Sequence, residues 1–197
     1  MESKKIRILV SSYLNSPFEN RIATLHCLLY SLICQTYQNF EIIVHHDGPL
    51  EDKNLKEKIE LIDDRISFVE TQERKNKWGF HERHTLAVKD DNADYILFTN
   101  DDNYYVPIFL QYFINILIAK NRELVYCNLI HNERSYGVID AFPEIGYVDL
   151  GCFITSLRLI KETPWNSFAK EADGIYFKEL ASKTNAIKIN NILFVHN

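Results

Sequence analysis

Residues 95–103 of this chain read YILFTNDDN, an apolar run that ends in two adjacent carboxylates. The run from 95 to 99 is short and rich in aromatic and β-branched residues, so it predicts a buried β-strand. Asp101 and Asp102 follow at once, and like charges this close repel each other unless a cation or solvent offsets the repulsion. Two interpretations stay open on spacing alone. One is a site for Mg²⁺ or Mn²⁺, which prefer oxygen ligands, and the other is an acidic turn that caps the following helix.

Short apolar runs and amphipathic stretches alternate on both sides of this segment. The predicted strands span residues 6–12, 40–44, 66–70, 95–99 and 124–129, and the predicted helices span residues 21–35, 55–62, 80–88 and 107–119. Beyond residue 129 the pattern is looser, with strands expected near 147–154 and 187–195 and a helix around 174–182. Alternation at this spacing is typical of βαβ units. We therefore predict an α/β fold in a single domain, with a mostly parallel central sheet and helices on both faces.

The loops after the first, second and fourth predicted strands carry unusual polar residues. In sheets built from parallel strands, ligands bind at the carboxyl ends of the strands. We therefore expect the chemistry of this protein to gather in the loops after Val10, Val44 and Thr99. Residues 73–77 are expected to form a mobile, solvated loop that could close over a bound ligand.

Composition and charge exclude several classes of protein. The chain has 197 residues and a formal net charge of −5 without a basic run, so nucleic acid, which needs a cationic footprint, is not an expected partner. The four cysteines are scattered and form no CxxC pair, which disfavours zinc and indicates buried free thiols in a reducing compartment. A signal peptide is not expected from the brief apolar run near the start, and no transmembrane segment is expected, because no stretch reaches the ~18 apolar residues that a bilayer requires. A cytoplasmic protein is expected, with peripheral membrane contact left open.

Three groups of motifs form a recognisable pattern along the chain. The first is SLICQTYQNFEIIVHHDGP at residues 31–49, and the second combines WGFHERHTLAV (78–88) with ADYILFTNDDNYYVP (93–107). A weaker third group comprises VDLGCFI (148–154), EADGIYFKEL (171–180) and a last strand that ends at His196. Together these motifs resemble the family 2 glycosyltransferases, which have the GT-A fold. The residues that carry the first two matches are Ser31, Leu32, Gln35, Thr36, Tyr37, Glu41, Ile42, Ile43, Val44, Asp47, Gly48, Gly79, Arg83, Asp101, Asp102, Tyr104, Tyr105 and Pro107.

The resemblance implies a nucleotide-sugar-binding half, residues 1–103, and an acceptor-binding half, residues 104–197. The side chains implied to contact the base, the ribose or the diphosphate of the donor are Ser11, Ser12, Tyr13, Asp47, Arg83 and Asp101. Without the resemblance, Arg83 would be interpreted as a solvated charge on a helix. Two positions depart from the family pattern, because His46 and Asn100 stand where the family usually has acidic residues.

The resemblance also implies a divalent metal, Mn²⁺ or Mg²⁺, and a general base. Asp102 is the implied metal ligand, and His196 could complete the metal shell or be an ordinary terminal histidine. Asp173 is the expected base that takes the proton of the acceptor hydroxyl, and its alternative role is a helix N-cap. Asp149 is the next candidate, which could instead hold an acceptor hydroxyl.

The function expected from the resemblance is transfer of a sugar, with inversion, from a nucleotide-diphosphate sugar to a hydroxyl acceptor such as a glycan. UDP is the expected nucleotide. An alternative is a non-catalytic nucleotide-sugar-binding or scaffold domain with the same fold, which the departures at His46 and Asn100 would favour. A nucleotidyltransferase is disfavoured, because the loop SSYLNSPFEN after the first strand has no glycine to form a phosphate loop.

Overall fold

The computed structural model describes residues 3–167, 169 and 171–197. Its strands are β1 (Ile6–Ser12), β2 (Phe40–His46), β3 (Ile66–Glu70), β4 (Tyr95–Asn100), β5 (Tyr104–Tyr105), β6 (Leu124–His131), β7 (Gly137–Ile139), β8 (Phe153–Ser156) and β9 (Ile187–His196). Its α-helices are α1 (Arg21–Ile33), α2 (Leu55–Glu60), α3 (Phe80–Ala87), α4 (Phe109–Ala119), α5 (Leu157–Lys161) and α6 (Ala172–Ser182). The expected α/β fold is confirmed.

The strands of the described residues join one sheet in the order β3-β2-β1-β4-β8-β6-β9-β5, with β7 paired to β6. β1 pairs in parallel with β2 and β4, and β2 pairs in parallel with β3. β8 is antiparallel to both β4 and β6, so β6 returns to the direction of β1, and β9 is parallel to β6. The carboxyl ends of β1, β2, β4, β6 and β9 therefore lie at one edge of a mostly parallel sheet.

Both faces of the central strands are covered. Residues 8–10 of β1 are all 0 % exposed, and because neighbouring residues of a strand point to opposite faces, both faces must be packed. Arg7, in the same strand, is only 1 % exposed and donates to Glu41 and to Asp90, each at 2.5 Å. A buried guanidinium needs such partners, so Arg7 ties β1 to β2 and to the turn after α3.

The prediction of a strand near residues 147–154 is wrong for most of that range. The chain instead makes a 3₁₀ turn at Leu150–Cys152, and the antiparallel β8 begins only at Phe153. The carboxylate of Asp149 accepts a hydrogen bond from the N–H of Gly151 and so caps this turn. Gly151 is packed so closely that a Cβ there would lie 2.3 Å from Cε2 of Phe194 in β9. Local capping and close packing therefore replace the extended conformation that the apolar pattern indicated.

The remaining expected elements are present, most of them with ends shifted by a few residues. β2 and β6 run past their expected ends to His46 and His131, and β9 ends at His196 as its motif indicated. Three histidines therefore lie at the carboxyl edge of the sheet. The two-residue β5 and the three-residue β7 were not expected, because strands this short leave no periodic pattern.

The cysteine prediction is confirmed for one pair only. Cys127 and Cys152 are buried, whereas Cys27 and Cys34 are exposed, and all of them are free. The inner face of α1 is filled by leucines such as Leu28, so Cys27 beside it points outward. No helix in the described part of the chain combines the length and the apolar character needed to cross a bilayer.

Candidate active site

The carboxyl edge of the sheet gathers many of the side chains expected to carry chemistry. β1 ends there at Ser12 and β9 ends there at His196, and Asp101 and Asp102 follow β4 at the same edge. A loop segment, residues 74–79, precedes α3 beside them. The topology therefore brings residues that are far apart in the sequence into one region.

Asp101 is held inside the protein by two partners. Its side chain is fully buried, Oδ2 accepts a hydrogen bond from Ser12 Oγ at 2.8 Å, and Oδ1 accepts one from Arg21 Nη1 at 2.8 Å. Burial raises the pKa of Asp101 to about 6, although Arg21 and Ser12 act in the opposite direction. Both oxygens are engaged, so Asp101 positions Ser12 and Arg21 in this structure.

Asp102 has a free ligand atom. Its side chain is 23 % exposed, and Oδ2 lies 3.9 Å from Arg21 Nη2. Oδ1 is buried and has no hydrogen-bond partner among the described residues. Burial raises the pKa of Asp102, with the charges of Arg21 and His196 opposing that rise. A buried, unpartnered carboxylate oxygen is the kind of donor that Mg²⁺ or Mn²⁺ prefers, so Asp102 fits the expected metal ligand.

A second cluster joins the ends of β6 and β9. His196 Nδ1 lies 2.9 Å from Asp149 Oδ2, and the rings of His131 and His196 stack with centroids 4.1 Å apart. Burial raises the pKa of Asp149, but His196 outweighs this effect and the net pKa is lowered. Burial conversely lowers the pKa of His196, and Asp149 outweighs it so that the net pKa is raised. Asp149 is therefore an ionised partner of His196.

The same three side chains form a group that could hold a metal ion. One ligand atom from each of His131, Asp149 and His196 lies within 4.8 Å of the others. The charge of His196 also opposes the rise in the pKa of Asp102. The role of His196 as a residue that completes the shell of a metal held by Asp102 stays a prediction.

Asp173 lies in a pocket beside the second cluster. This pocket has a volume of about 240 Å³, and we call it the Asp173 pocket. Its lining includes His131, Arg134, Ile139, Val148, Glu171 and Asp173. Burial raises the pKa of Asp173 to about 6, and the charge of Asp149 adds to this rise. Glu171, rather than Asp173, occupies the N-cap of α6, and Asp173 lies in the first turn, where its Oδ1 accepts a hydrogen bond from the N–H of Gly174 at 2.8 Å.

The loop segment 74–79 is anchored rather than free. The carboxylate of Asp47 accepts hydrogen bonds from the N–H groups of Lys75 and Asn76, at 2.8 and 2.7 Å. The guanidinium of Arg74 lies over the ring of Tyr13, with Cζ 3.6 Å from the centroid. The prediction of a solvated loop is confirmed by its exposure, but its main chain is fixed by Asp47.

Ser11 and Arg83 contact the same segment. Ser11 Oγ donates to the carbonyl of Trp78 at 3.2 Å. The fully buried Arg83 donates to the carbonyls of Trp78 and Thr99, at 3.1 and 2.7 Å, and to Asn100 Oδ1 at 3.1 Å. The solvated-charge interpretation of Arg83 is therefore wrong, and Arg83 ties the segment to the end of β4. Ser11, Tyr13, Asp47 and Arg83, all expected to bind a donor, thus surround one stretch of chain.

His46 joins two loops as a neutral ring. Its Nε2 accepts a hydrogen bond from the N–H of Leu14 at 2.9 Å, so Nδ1 carries the proton and donates to the carbonyl of Gly48 at 2.6 Å. Burial lowers the pKa of His46, which agrees with this tautomer. Its ring also stacks on Tyr13, with centroids 5.4 Å apart. The residue that replaces an acid of the family pattern thus supports Tyr13.

A comparison with known protein families shows which family the chain belongs to. The family described as "Glycosyl transferase family 2" matches residues 16–166, which is most of the sequence. The chain belongs to glycosyl transferase family 2. A relative from Escherichia coli, named UDP-Glc:alpha-D-GlcNAc-diphosphoundecaprenol beta-1,3-glucosyltransferase WfgD, is 25 % identical over 96 % of this chain and 75 % of its own length.

Solved structures show the same fold as this family 2 domain. Staphylococcus aureus TarS 1-349 aligns with a TM-score of 0.77 and 14 % identity, and its complex with UDP-GlcNAc aligns with a TM-score of 0.74 and 15 % identity. These alignments cover 98 % and 97 % of this chain but only 60 % and 58 % of the TarS chains. Mannosyltransferase PcManGT from Pyrobaculum calidifontis, in complex with GDP-Man and Mn²⁺, aligns with a TM-score of 0.72 and 15 % identity over 97 % of this chain and 56 % of its own. The expected GT-A fold is confirmed.

Sequence reasoning missed two residues of this family 2 site. Arg21 is the only Lys or Arg between residues 8 and 52, and that isolation is a signal that could have identified it. His131 was missed because the fifth strand was expected to end at Leu129. Its proximity to His196 depends on the pairing of β6 with β9, which leaves no local pattern.

Proposed function

We propose that this family 2 domain transfers a sugar from UDP-sugar to a hydroxyl of a sugar carried by a lipid diphosphate. The name of the Escherichia coli relative, which specifies a UDP-Glc donor and a diphosphoundecaprenol-linked acceptor, supports this choice of donor and acceptor. The proposal includes inversion at the transferred sugar and a divalent metal. It assigns donor binding to residues 1–103 and acceptor binding to residues 104–197.

The arrangement that carries the proposal is the position of Asp173. It lines a pocket at the carboxyl edge, and its pKa of about 6 leaves it mostly ionised at neutral pH. A base with a pKa close to the working pH removes a proton efficiently. In the proposed reaction Asp173 takes the proton of the acceptor hydroxyl while that oxygen attacks C1 of the donor sugar. The bond from C1 to the diphosphate breaks on the opposite side, which inverts the configuration.

The donor half supplies the binding groups in this proposal. Ser11 and Tyr13 would face the base and ribose, with His46 supporting the ring of Tyr13 from behind. Asp47 and Arg83 would act through the segment 74–79, which both contact. A divalent ion bound by Asp102 and His196 would offset the negative charge that develops on the departing diphosphate.

The direct test is the Asp173→Asn variant. The amide keeps the size of the side chain but cannot accept the proton, so we expect transfer to fall at least about a hundredfold. Binding of UDP, measured by calorimetry, should stay within about twofold, because Asp173 lies in the acceptor half. Asp91→Asn, an exposed acid outside the site, is the matched control and should leave transfer unchanged. If Asp173→Asn transferred the sugar at the wild-type rate, Asp173 would not be the base.

A second candidate is a nucleotide-sugar-binding domain without turnover. His46 and Asn100 depart from the acidic pattern, and segment 74–79 already uses the hydrogen-bonding groups of Asp47. A panel of nucleotide sugars with Mn²⁺ distinguishes the two functions. Binding without transfer or donor hydrolysis across the panel would favour the scaffold and contradict the enzyme.

A further inference from the structure

A patch of exposed apolar side chains borders the Asp173 pocket. Tyr136, Phe142, Ile145 and Tyr147 are each 38–57 % exposed, although they are large apolar residues. We call this set the apolar rim. A single exposed apolar residue is ordinary on a protein surface, but four within residues 136–147 form a concentration that indicates binding.

The apolar rim and the pocket are built by the same stretch of chain. Gly146, next to Tyr147, lines the pocket, and the rings of Phe142 and Tyr147 lie 4.0 Å apart. Ile145 packs against the start of α6, because a Cβ on Gly174 would lie 3.0 Å from the Cα of Ile145. Gly174 directly follows Asp173, so the apolar rim begins where the pocket ends.

Arg134 adds a cation to the lining of this pocket. It makes no ion pair or side-chain hydrogen bond with any residue in the part of the chain that the structure describes. Other nearby cations are engaged, since Lys178 pairs with Glu144 at 2.9 Å and Lys188 pairs with Asp140 at 2.6 Å. A free guanidinium has the planar donor geometry that matches phosphate oxygens.

We propose that the Asp173 pocket and the apolar rim bind the three parts of one amphiphilic acceptor. The sugar lies against the carboxylates of Glu171 and Asp173, the phosphate lies on Arg134, and the lipid chain lies along the apolar rim. This inference rests on the proposed function, because it assigns residues to the acceptor of that reaction. A free glycan would leave both the apolar rim exposed and Arg134 unpaired, so the combination favours a lipid-linked acceptor.

Direct binding tests the inference without requiring transfer. Calorimetry compares dodecyl diphosphate, below its micelle concentration, with inorganic pyrophosphate, both in saturating UDP so that the donor site is blocked. We expect the wild type to bind dodecyl diphosphate at least about tenfold more tightly, a gain that needs fewer than two fully buried methylene groups. Equal affinity for the two ligands would overturn the inference.

Variants of surface residues then locate the two contacts. Phe142→Ser combined with Ile145→Ser should abolish the preference for the dodecyl chain and leave pyrophosphate binding unchanged. Arg134→Gln should weaken both ligands about tenfold. Lys120→Gln, at the far end of α4, is the matched control for loss of a surface cation and should change neither. Unchanged binding in the two site variants would contradict the assignment.

A transfer assay separates this inference from the proposed function. The acceptors are α-GlcNAc diphosphate esterified with a dodecyl or a methyl group, with UDP-glucose as donor. The double variant of the apolar rim should raise KM about tenfold for the dodecyl acceptor only, with kcat unchanged. An equal rise for both acceptors would overturn the inference. Absence of transfer to either acceptor from any donor would contradict the proposed function. The inference would still be tested by calorimetry, which compares the binding of dodecyl diphosphate with that of pyrophosphate.

Discussion

At the scale of single residues, the guanidinium of Arg21 balances the negative charge of the two carboxylates that follow β4. Arg21 lies 2.8 Å from Asp101 and 3.9 Å from Asp102. Asp101 is fully buried, and a buried carboxylate without a partner costs several kcal/mol. Arg21 therefore stabilises the ionised form of Asp101, and its contribution must depend on pH.

Arg21→Gln should destabilise the fold at high pH more than at low pH. The raised pKa of Asp101, about 6, means that its carboxyl is neutral below about pH 5 and then has no charge for Arg21 to balance. Above pH 7 it is ionised, and we expect a loss of about 1–2 kcal/mol in the free energy of unfolding. Urea denaturation at pH 5 and pH 8 measures both values. Lys58→Gln, which breaks an exposed ion pair, should cost less than about 0.5 kcal/mol at either pH. Equal losses for Arg21→Gln at the two pH values would contradict this account.

The pKa of Asp173 sets an expectation for the rate of transfer. Because burial raises that pKa to about 6, the fraction of ionised base falls as the pH drops below 6. We expect kcat/KM to decrease toward tenfold per pH unit on the acid side and to level off above about pH 7. The profile is measured with saturating metal and with stability checked at each pH. A rate that stays constant from pH 5 to pH 8 would show that Asp173 is not the titrating base.

At the scale of elements, the segment 74–79 is a strained piece of chain held by its neighbours. Asn76 and Trp78 have left-handed φ angles of 52° and 58°, and Gly79, the N-cap of α3, has a φ of 65°. Non-glycine residues in this region cost of order 1 kcal/mol each. Asp47 accepts a hydrogen bond from the segment and Ser11 donates one to it, and these bonds offset that cost. The expected donor-binding residues and the backbone strain are therefore coupled.

Gly79→Ala should disturb this element more than an equivalent change elsewhere. A Cβ at residue 79 would lie 2.6 Å from Ser11 Oγ and 3.2 Å from His45 Nδ1. Gly146 also has a positive φ, but a Cβ there would meet nothing within 4 Å, so Gly146→Ala isolates the backbone strain. We expect about 2–3 kcal/mol of lost stability for Gly79→Ala against about 1 kcal/mol for the control. UDP affinity should fall about tenfold only in Gly79→Ala. Equal effects of the two variants would contradict the close packing.

At the scale of the whole molecule, local pattern predicted the parallel part of the sheet and the meeting of its carboxyl ends. β1 and β3 were predicted with correct ends, because each is a short, mostly apolar segment bounded by polar residues. The position of β8 between β4 and β6 could not be predicted, since it depends on pairing between distant segments. Asp149 illustrates the difficulty, because its sequence context indicates a strand whereas its carboxylate caps a turn. The alternation of strands and helices predicted that Asp101 and Asp102 lie at the carboxyl ends of the parallel strands. It did not predict that Arg21 pairs with them.

The location of β9 has a consequence for how the sheet is completed during folding. Among the described strands β9 comes last in chain order, yet it lies between β6 and β5 and contributes His196. Until β9 pairs with it, one side of β6 is an open edge, and open edges invite association with other chains. The stacking of His131 on His196 depends on the same pairing, so a folding intermediate without β9 is expected to lack this pair of rings.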